Sequence, residues 1–226
     1  MSGLDPEYLK RIGAWTVHLS ADELERASAN TTEKTYRRGE CICPKGGRLD
    51  SWTGVVGGLI KVCTVSRTGR TVTYTGVPAG GWFGEGTVLR HEPRRYDIIA
   101  LRDTRMALMN RATFMWLFEN SVGFNRFLVT QLAERLKQFM ALLEYDRMLG
   151  STSRLARCIA SLFNPVLYPG GGNHLEITQE ELGLLSGLSR QVANQGLKRL
   201  EQENLIRIEY GGITVLDLDQ LRTHGD

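Results

Sequence analysis

Residues 178–206 read TQEELGLLSGLSRQVANQGLKRLEQENLI, two short amphipathic helices parted by a tight turn. Thr178 followed by Glu181 is a capping box, in which each side chain satisfies a free backbone N–H at the helix start. Leu182 and Leu185 supply the core side of the first helix, Gly187 permits the turn, and Ser189 can cap the second helix. In that second helix Val192, Ala193, Gly196, Leu197 and Leu200 share one face, while Arg190, Gln191, Asn194, Gln195 and Lys198 lie largely on the other. An interior helical glycine costs about 1 kcal/mol against alanine. Gly196 is therefore expected to mark a close approach by the first helix.

The next residues, 205-LIRIEYGGITVLDL-218, alternate around Tyr210-Gly211-Gly212 and read as a two-stranded wing. Helix, turn, capped helix and wing is the plan of a winged helix-turn-helix, whose second helix enters the DNA major groove. Arginine donates two hydrogen bonds to guanine, and glutamine or asparagine pairs bidentately with adenine. Lys198 and Arg199 suit phosphates, which position a protein without reading sequence. Thr178, Gln179 and Ser189 at the helix starts join Arg190, Gln191, Asn194, Gln195 and Lys198 as candidate contacts to double-stranded DNA.

Composition sets the frame around this motif. The chain has 226 residues, 42% hydrophobic and 23% charged, enough for one large domain or two modest ones. No run approaches the ~18 apolar residues of a membrane span, and the start lacks a signal-peptide core. A soluble cytoplasmic protein with no membrane partner is expected. The formal charge is +3, but residues 151–226 hold seven Arg and Lys against nine Asp and Glu. Any claim of DNA binding rests on local placement. Cys41, Cys43, Cys63 and Cys158 are expected as reduced thiols. The one-residue gap between Cys41 and Cys43 is tighter than the C-x-x-C of zinc sites, so no metal is expected.

Residues 4–30 read as a short helical entry with Ser20 as an N-cap. From 35 to 109 glycines recur between β-favouring segments such as 55-VVGGLIKVCTV-65, 71-TVTYTGV-77 and 97-DIIALRDTRMALM-109, with a hairpin turn at 66-SRTG-69. Such punctuation suggests an all-β roll or barrel. Residues 111–148 carry helical periodicity without proline, and Val129, Leu132, Leu136, Phe139 and Leu143 fall at the spacing of a helix–helix seam. Phe127, Leu128, Met140 and Leu142 make other faces apolar as well. A helix apolar on several sides must be covered on several sides, here by the β domain and by a second copy of the chain. The stretch 164-NPVLYPGGGNH-174 reads as a loop within the C-terminal domain, and the hinge falls near 149-LGSTS-153.

Taken together, these segments resemble the Crp–Fnr family of transcription regulators over nearly the whole length. The most specific part is 177-ITQEELGLLSGLSR-190 with LKRLEQENLI after it. The resemblance implies an α+β protein in three parts. Residues 1–118 form an N-terminal β-roll, a jelly roll like a cyclic nucleotide-binding domain. Residues 119–149 form a long dimerisation helix and hinge, and residues 150–226 a winged helix-turn-helix. It also implies a homodimer on a two-fold symmetric site, with an effector in each roll shifting how the reading helices are held. Arg190 sits where the cyclic AMP receptor protein has its first base-reading arginine. Gln191 stands where glutamate is usual and Gln195 where arginine is usual, and the Fnr-type Ser-Arg at 194–195 is not matched. Neither group's usual half-site is therefore expected.

The stretch 82-WFGEGTVL-89 resembles the family's phosphate-binding cassette, with Gly84 and Glu85 meeting the ligand. Counting forward from Gly84 makes Arg95 the phosphate arginine, and counting back from Ala100 makes it Arg94. The serine that usually follows becomes Tyr96 or Arg95. Phe139 and Met140 take the places of two polar residues that contact adenine, and each unpaired purine nitrogen would cost about 1–3 kcal/mol. These two either line the pocket or fill the dimer seam. The effector is thus an unidentified small molecule other than cyclic AMP, or there is none. No cofactor is assigned.

Two alternatives stay open: an effector-independent regulator, and a roll-type sensor acting through protein contacts. HExxH, Walker-type and GxSxG motifs are absent, and His18, His91, His174 and His224 are scattered, so no enzyme is expected. RNA polymerase is a further candidate partner.

Overall fold

The computed structural model describes residues 3–66, 68 and 71–225. The chain enters through α1 (Pro6–Ile12), a 3₁₀ turn (Ala14–His18) and α2 (Ala21–Ala29). Ser20 and Glu23 exchange both capping-box hydrogen bonds at the start of α2. Eight strands follow: β1 (Thr31–Tyr36), β2 (Cys41–Cys43), β3 (Ser51–Gly57), β4 (Leu59–Val65), β5 (Thr71–Pro78), β6 (Trp82–Phe83), β7 (Asp97–Ala100) and β8 (Thr104–Asn110). The short α3 (Glu85–Arg90) lies between β6 and β7. The strands form two antiparallel sheets, ordered β1-β8-β3-β6 and β2-β7-β4-β5, which together make the roll. Strands β4 and β5 pair from Leu59↔Pro78 to Val65↔Thr71. Their turn, read from sequence at 66–69, lies largely outside the described residues.

Period-two alternation gives the first sheet two buried faces. Val55 and Met106 point into the roll, whereas Trp52, Ala107 and Met109 point outward against helices. Those helices are α1, α2, α4 (Arg111–Asn120) and the start of α5 (Val122–Met148). The helical run 111–148 is therefore broken once, at Ser121, whose hydroxyl accepts the Phe124 N–H as an N-cap. The break lets Phe114 and Phe124 both reach Trp52, at ring separations of 5.6 and 5.4 Å.

α5 carries two stripes. The outer one, Val129, Leu132, Leu136, Phe139 and Leu143, is 42–66% exposed along its length. The inner one begins apolar with Phe124 and Leu128 and continues as Gln131, Arg135 and Gln138. Those three side chains donate to the carbonyls of Val166, Trp82 and Ser161 respectively.

The C-terminal part contains α6 (Ser151–Ser161), β9 (His174–Leu175), α7 (Gln179–Ser186), α8 (Arg190–Gln202), β10 (Ile206–Glu209), β11 (Gly212–Val215) and α9 (Leu218–Thr223). The wing has three strands rather than two, because β9 pairs with β11 through Leu175↔Ile213 and His174↔Thr214. Gly196 also differs from expectation. The atom nearest to a methyl there would be Leu155 Cδ2, at 2.9 Å, so the close neighbour is α6 and not α7. The core of this part extends beyond it, since Leu59 and Leu101 of the roll pack in the same cluster as Leu155, Leu162 and Leu182.

Candidate nucleic-acid interface and effector pocket

Local chemistry fixes both helices of the reading motif. Thr178 and Glu181 make the complete capping box at α7, and Ser189 Oγ accepts the Val192 N–H at α8. Such a cap stabilises by about 1 kcal/mol. Gly187, at φ +66°, reverses the chain between them. Ala193, Leu197 and Leu200 are fully buried, so the opposite face of α8 turns outward. Arg190, Gln191, Gln195 and Lys198 are exposed there, and Asn194 is half-buried. None of these five side chains takes a hydrogen bond or ion-pair partner among the described residues. Thr178 and Gln179 line one concavity with Arg190, and Arg38 of the roll stands on its rim.

The roll grips this motif through two arginines on one carboxylate: Arg38 Nη2 stands 3.9 Å from Glu181 Oε1, and Arg102 makes the closer pair. Arg102 Nη1 and Nη2 donate to the two carboxylate oxygens of Glu181 at 2.8 and 2.6 Å, and Arg102 Nε donates to Glu176 O at 3.0 Å. Glu181 also accepts the Thr178 N–H at 2.8 Å, so the residue that caps α7 also ties it to the roll. Burial alone would raise this carboxyl, but the hydrogen bonds from Arg102 and Thr178 outweigh it and hold the group below its ordinary value. At the hinge, Arg154 bridges Asp146 at 2.5 Å and Gly187 O at 3.2 Å. The sequence reading of residues 178–206 missed Arg102, because its partner lies 79 residues away.

In the roll, the structure separates the two candidate arginines. Arg94 is 1% exposed, while Arg95 points to solvent and pairs with Glu92 at 3.5 Å. Gly84 adopts φ +98°, and a methyl on it would come within 2.4 Å of Arg94 Nη2. The left-handed backbone there favours glycine, and any side chain would displace the guanidinium. Arg94 lies 5.8 Å over the Phe83 ring, its Nη2 reaches Ser51 O at 3.5 Å, and its Nε and Nη1 have no partner. A buried guanidinium with idle donors is costly and is chemically suited to an anion. Glu85 is buried beside it and meets Arg135 Nε of α5 at 3.7 Å. Nothing in the sequence marks Arg135, because α5 also carries Arg126, Glu134, Lys137, Glu144, Asp146 and Arg147. Tyr96 is half-buried against the roll interior. Phe139 and Met140, 42% and 64% exposed, lie apart from Gly84, Glu85 and Arg94 on the outward side of α5.

None of the four cysteines lies in the reading motif, and Cys43 is buried in the roll within reach of the Arg94 charge. Burial pushes up the thiols of Cys41, Cys43 and Cys63, and that of fully buried Cys158 to about 12.

Comparison with known proteins agrees with this architecture. A cyclic nucleotide-binding domain matches residues 33–121, and a Crp-like helix-turn-helix domain matches residues 153–224. The cyclic AMP receptor protein of Thermus thermophilus is 25% identical over 197 residues, covering 87% of this chain and 89% of its own length. The cAMP-activated global transcriptional regulator Vfr of Pseudomonas aeruginosa is 23% identical, covering 82% and 90%. The structure of FixK2 from Bradyrhizobium japonicum shares the fold at a TM-score of 0.69 and 18% identity, over 85% of this chain and 96% of that one. No helix among the described residues is long and apolar enough to cross a membrane. With a roll and a winged reading motif each matched in turn and regulators among its relatives, this chain belongs to the Crp–Fnr family of DNA-binding transcription regulators.

Proposed function

We propose that the protein works as a homodimer, with α8 of each copy in the major groove of a two-fold symmetric operator and an anionic small molecule in each roll as effector. The observation that carries the reading is the outward face of α8, where Arg190, Gln191, Gln195 and Lys198 are exposed and without partners. Free donors on a rigid, capped helix are what base and phosphate recognition need. The exposed outer stripe of α5 supports the second copy. The leucines there are already about half covered, so burying the rest of each would contribute about 1 kcal/mol. Two copies give the twinned readers a symmetric site demands.

Idle Arg94, with Glu85 and Arg135 beside it, supports an anion. Positions 139 and 140, where the resemblance places the polar contacts to adenine, hold Phe139 and Met140, so cyclic AMP is not the effector proposed. RNA polymerase is the partner through which a bound dimer would act on transcription. Selection from random duplexes tests the DNA part: a palindromic consensus distinct from the cyclic AMP receptor protein's own operator is expected, and sequence-indifferent recovery would refute it. Titration calorimetry tests the effector part, since tight cyclic AMP binding by the unmodified protein would overturn the exclusion.

A further inference from the structure

The loop 164–173 belongs by sequence to the C-terminal part, yet two of its side chains sit inside the roll. Leu167 and Tyr168 are 1% and 3% exposed, packed with Val77, Phe83 and Met106. The insertion is specifically held. Asn164 Oδ1 accepts the N–H groups of Val166 and Leu167, and Asn164 Nδ2 donates to Glu134 of α5 at 2.9 Å. Gln131 Nε2 donates to Val166 O at 2.6 Å, and Tyr168 Oη donates to Gly76 O at 3.3 Å.

The ring lies close to the anion cradle. A methyl on Gly81, three residues before Gly84, would stand 2.9 Å from Tyr168 Cδ1. Burial raises the Tyr168 hydroxyl, opposed by Arg135, Thr75 and Gln138 beside it. Arg135 is the same group that meets Glu85. A molecule seated on Arg94 and Glu85 and extending toward α5 therefore runs into Tyr168.

We propose that Tyr168 is an internal occupant of the effector cavity and selects against any effector larger than a bare anion unless the 164–169 loop leaves. This rests on the effector reading of the roll given above. Because the loop joins α6 to β9 and α7, its departure would disturb the elements that set the reading helix. Effector size would thereby be converted into a movement of the DNA-binding part.

Cyclic AMP, a nucleotide-sized anion, is the probe. Calorimetry on the full chain compares the unmodified protein with Tyr168→Ala, Tyr168→Phe, Arg94→Gln and the double variant Tyr168→Ala/Arg94→Gln. Tyr168→Ala should bind cyclic AMP at least tenfold more tightly than the unmodified protein, and Tyr168→Phe, which keeps the ring, should show no gain. The double variant should lose the gain. If Tyr168→Ala binds no more tightly, the occupant role is overturned, even where Arg94→Gln weakens binding and so upholds the anion site. If the double variant keeps the gain, the occupant role stands and the anion reading of Arg94 fails. Tyr168→Leu, which fills more of the space, carries the same comparison should the alanine variant fail to fold.

Discussion

Arg190 and Arg94 both lack an acidic partner among the described residues, and they sit in opposite surroundings. Arg190 stands in water at the start of α8, where an unpaired charge is solvated at no cost. Arg94 is sealed under Gly84, with two idle nitrogens. The same side chain therefore means different things in the two regions. In the reading motif it is a ready donor, and removing it should change recognition but not folding. In the roll it is a stored electrostatic cost, and removing it should change ligand binding while sparing or improving stability.

The largest effect is expected where an outward face waits for a second copy. Replacing Leu132 and Leu136 by glutamate should give a monomer whose operator affinity falls by about 10²–10⁴, the usual gain from joining two binding modules. Sedimentation and gel-shift titration read both changes, and a dimer with intact affinity would remove the outer stripe from the scheme.

Next comes Arg102→Ala, which strips the nearly buried Glu181 carboxylate of its bidentate cation and leaves it only the more exposed Arg38 at 3.9 Å. Breaking such a pair costs about 3–5 kcal/mol when fully buried, and somewhat less here because both side chains keep about a tenth of their exposure. Calorimetric melting should show the loss. The pH dependence follows with its sign fixed. A carboxyl held below its ordinary value stabilises the fold fully above the unfolded value of about 4.3. That contribution fades as pH falls through the lower folded value. Arg102→Ala should flatten this acid limb, and an unchanged limb would exclude Glu181 as its source.

Smaller again, Arg190→Ala should cost about 1–3 kcal/mol of discrimination at one base position with melting unchanged. The least is expected of Arg94→Met, which keeps the volume and removes the buried charge. Its melting temperature should hold or rise, and a clear drop would mean that Arg94 has a partner the geometry does not reveal.

How far the sequence reading reached follows the range of the interactions. The caps Thr178, Glu181, Ser189 and Ser20 were legible because their partners lie three residues away. The outer stripe of α5 was legible as apolar periodicity. Its inner stripe was not, because Gln131, Arg135 and Gln138 look like solvated residues until the carbonyls of Val166, Trp82 and Ser161 are folded against them. Arg94 and Arg95 could not be separated by counting, since a one-residue difference in loop length exchanges them; burial separates them at once. Gly196 advertised a close neighbour without saying which helix supplies it. The stretch 164-NPVLYPGGGNH-174 has the composition of a loop, and nothing local marks Leu167 and Tyr168 as core of a sheet formed some 90 residues earlier.

The most direct test is base-resolution footprinting of the purified protein on its selected duplex, beside the variant Arg190→Ala/Gln191→Ala. Two protected half-sites about one helical turn apart, with base preference lost in the variant while melting is unchanged, are the expected outcome. A single protected patch, or a sequence preference the two substitutions leave untouched, would contradict the placement of α8 in the groove.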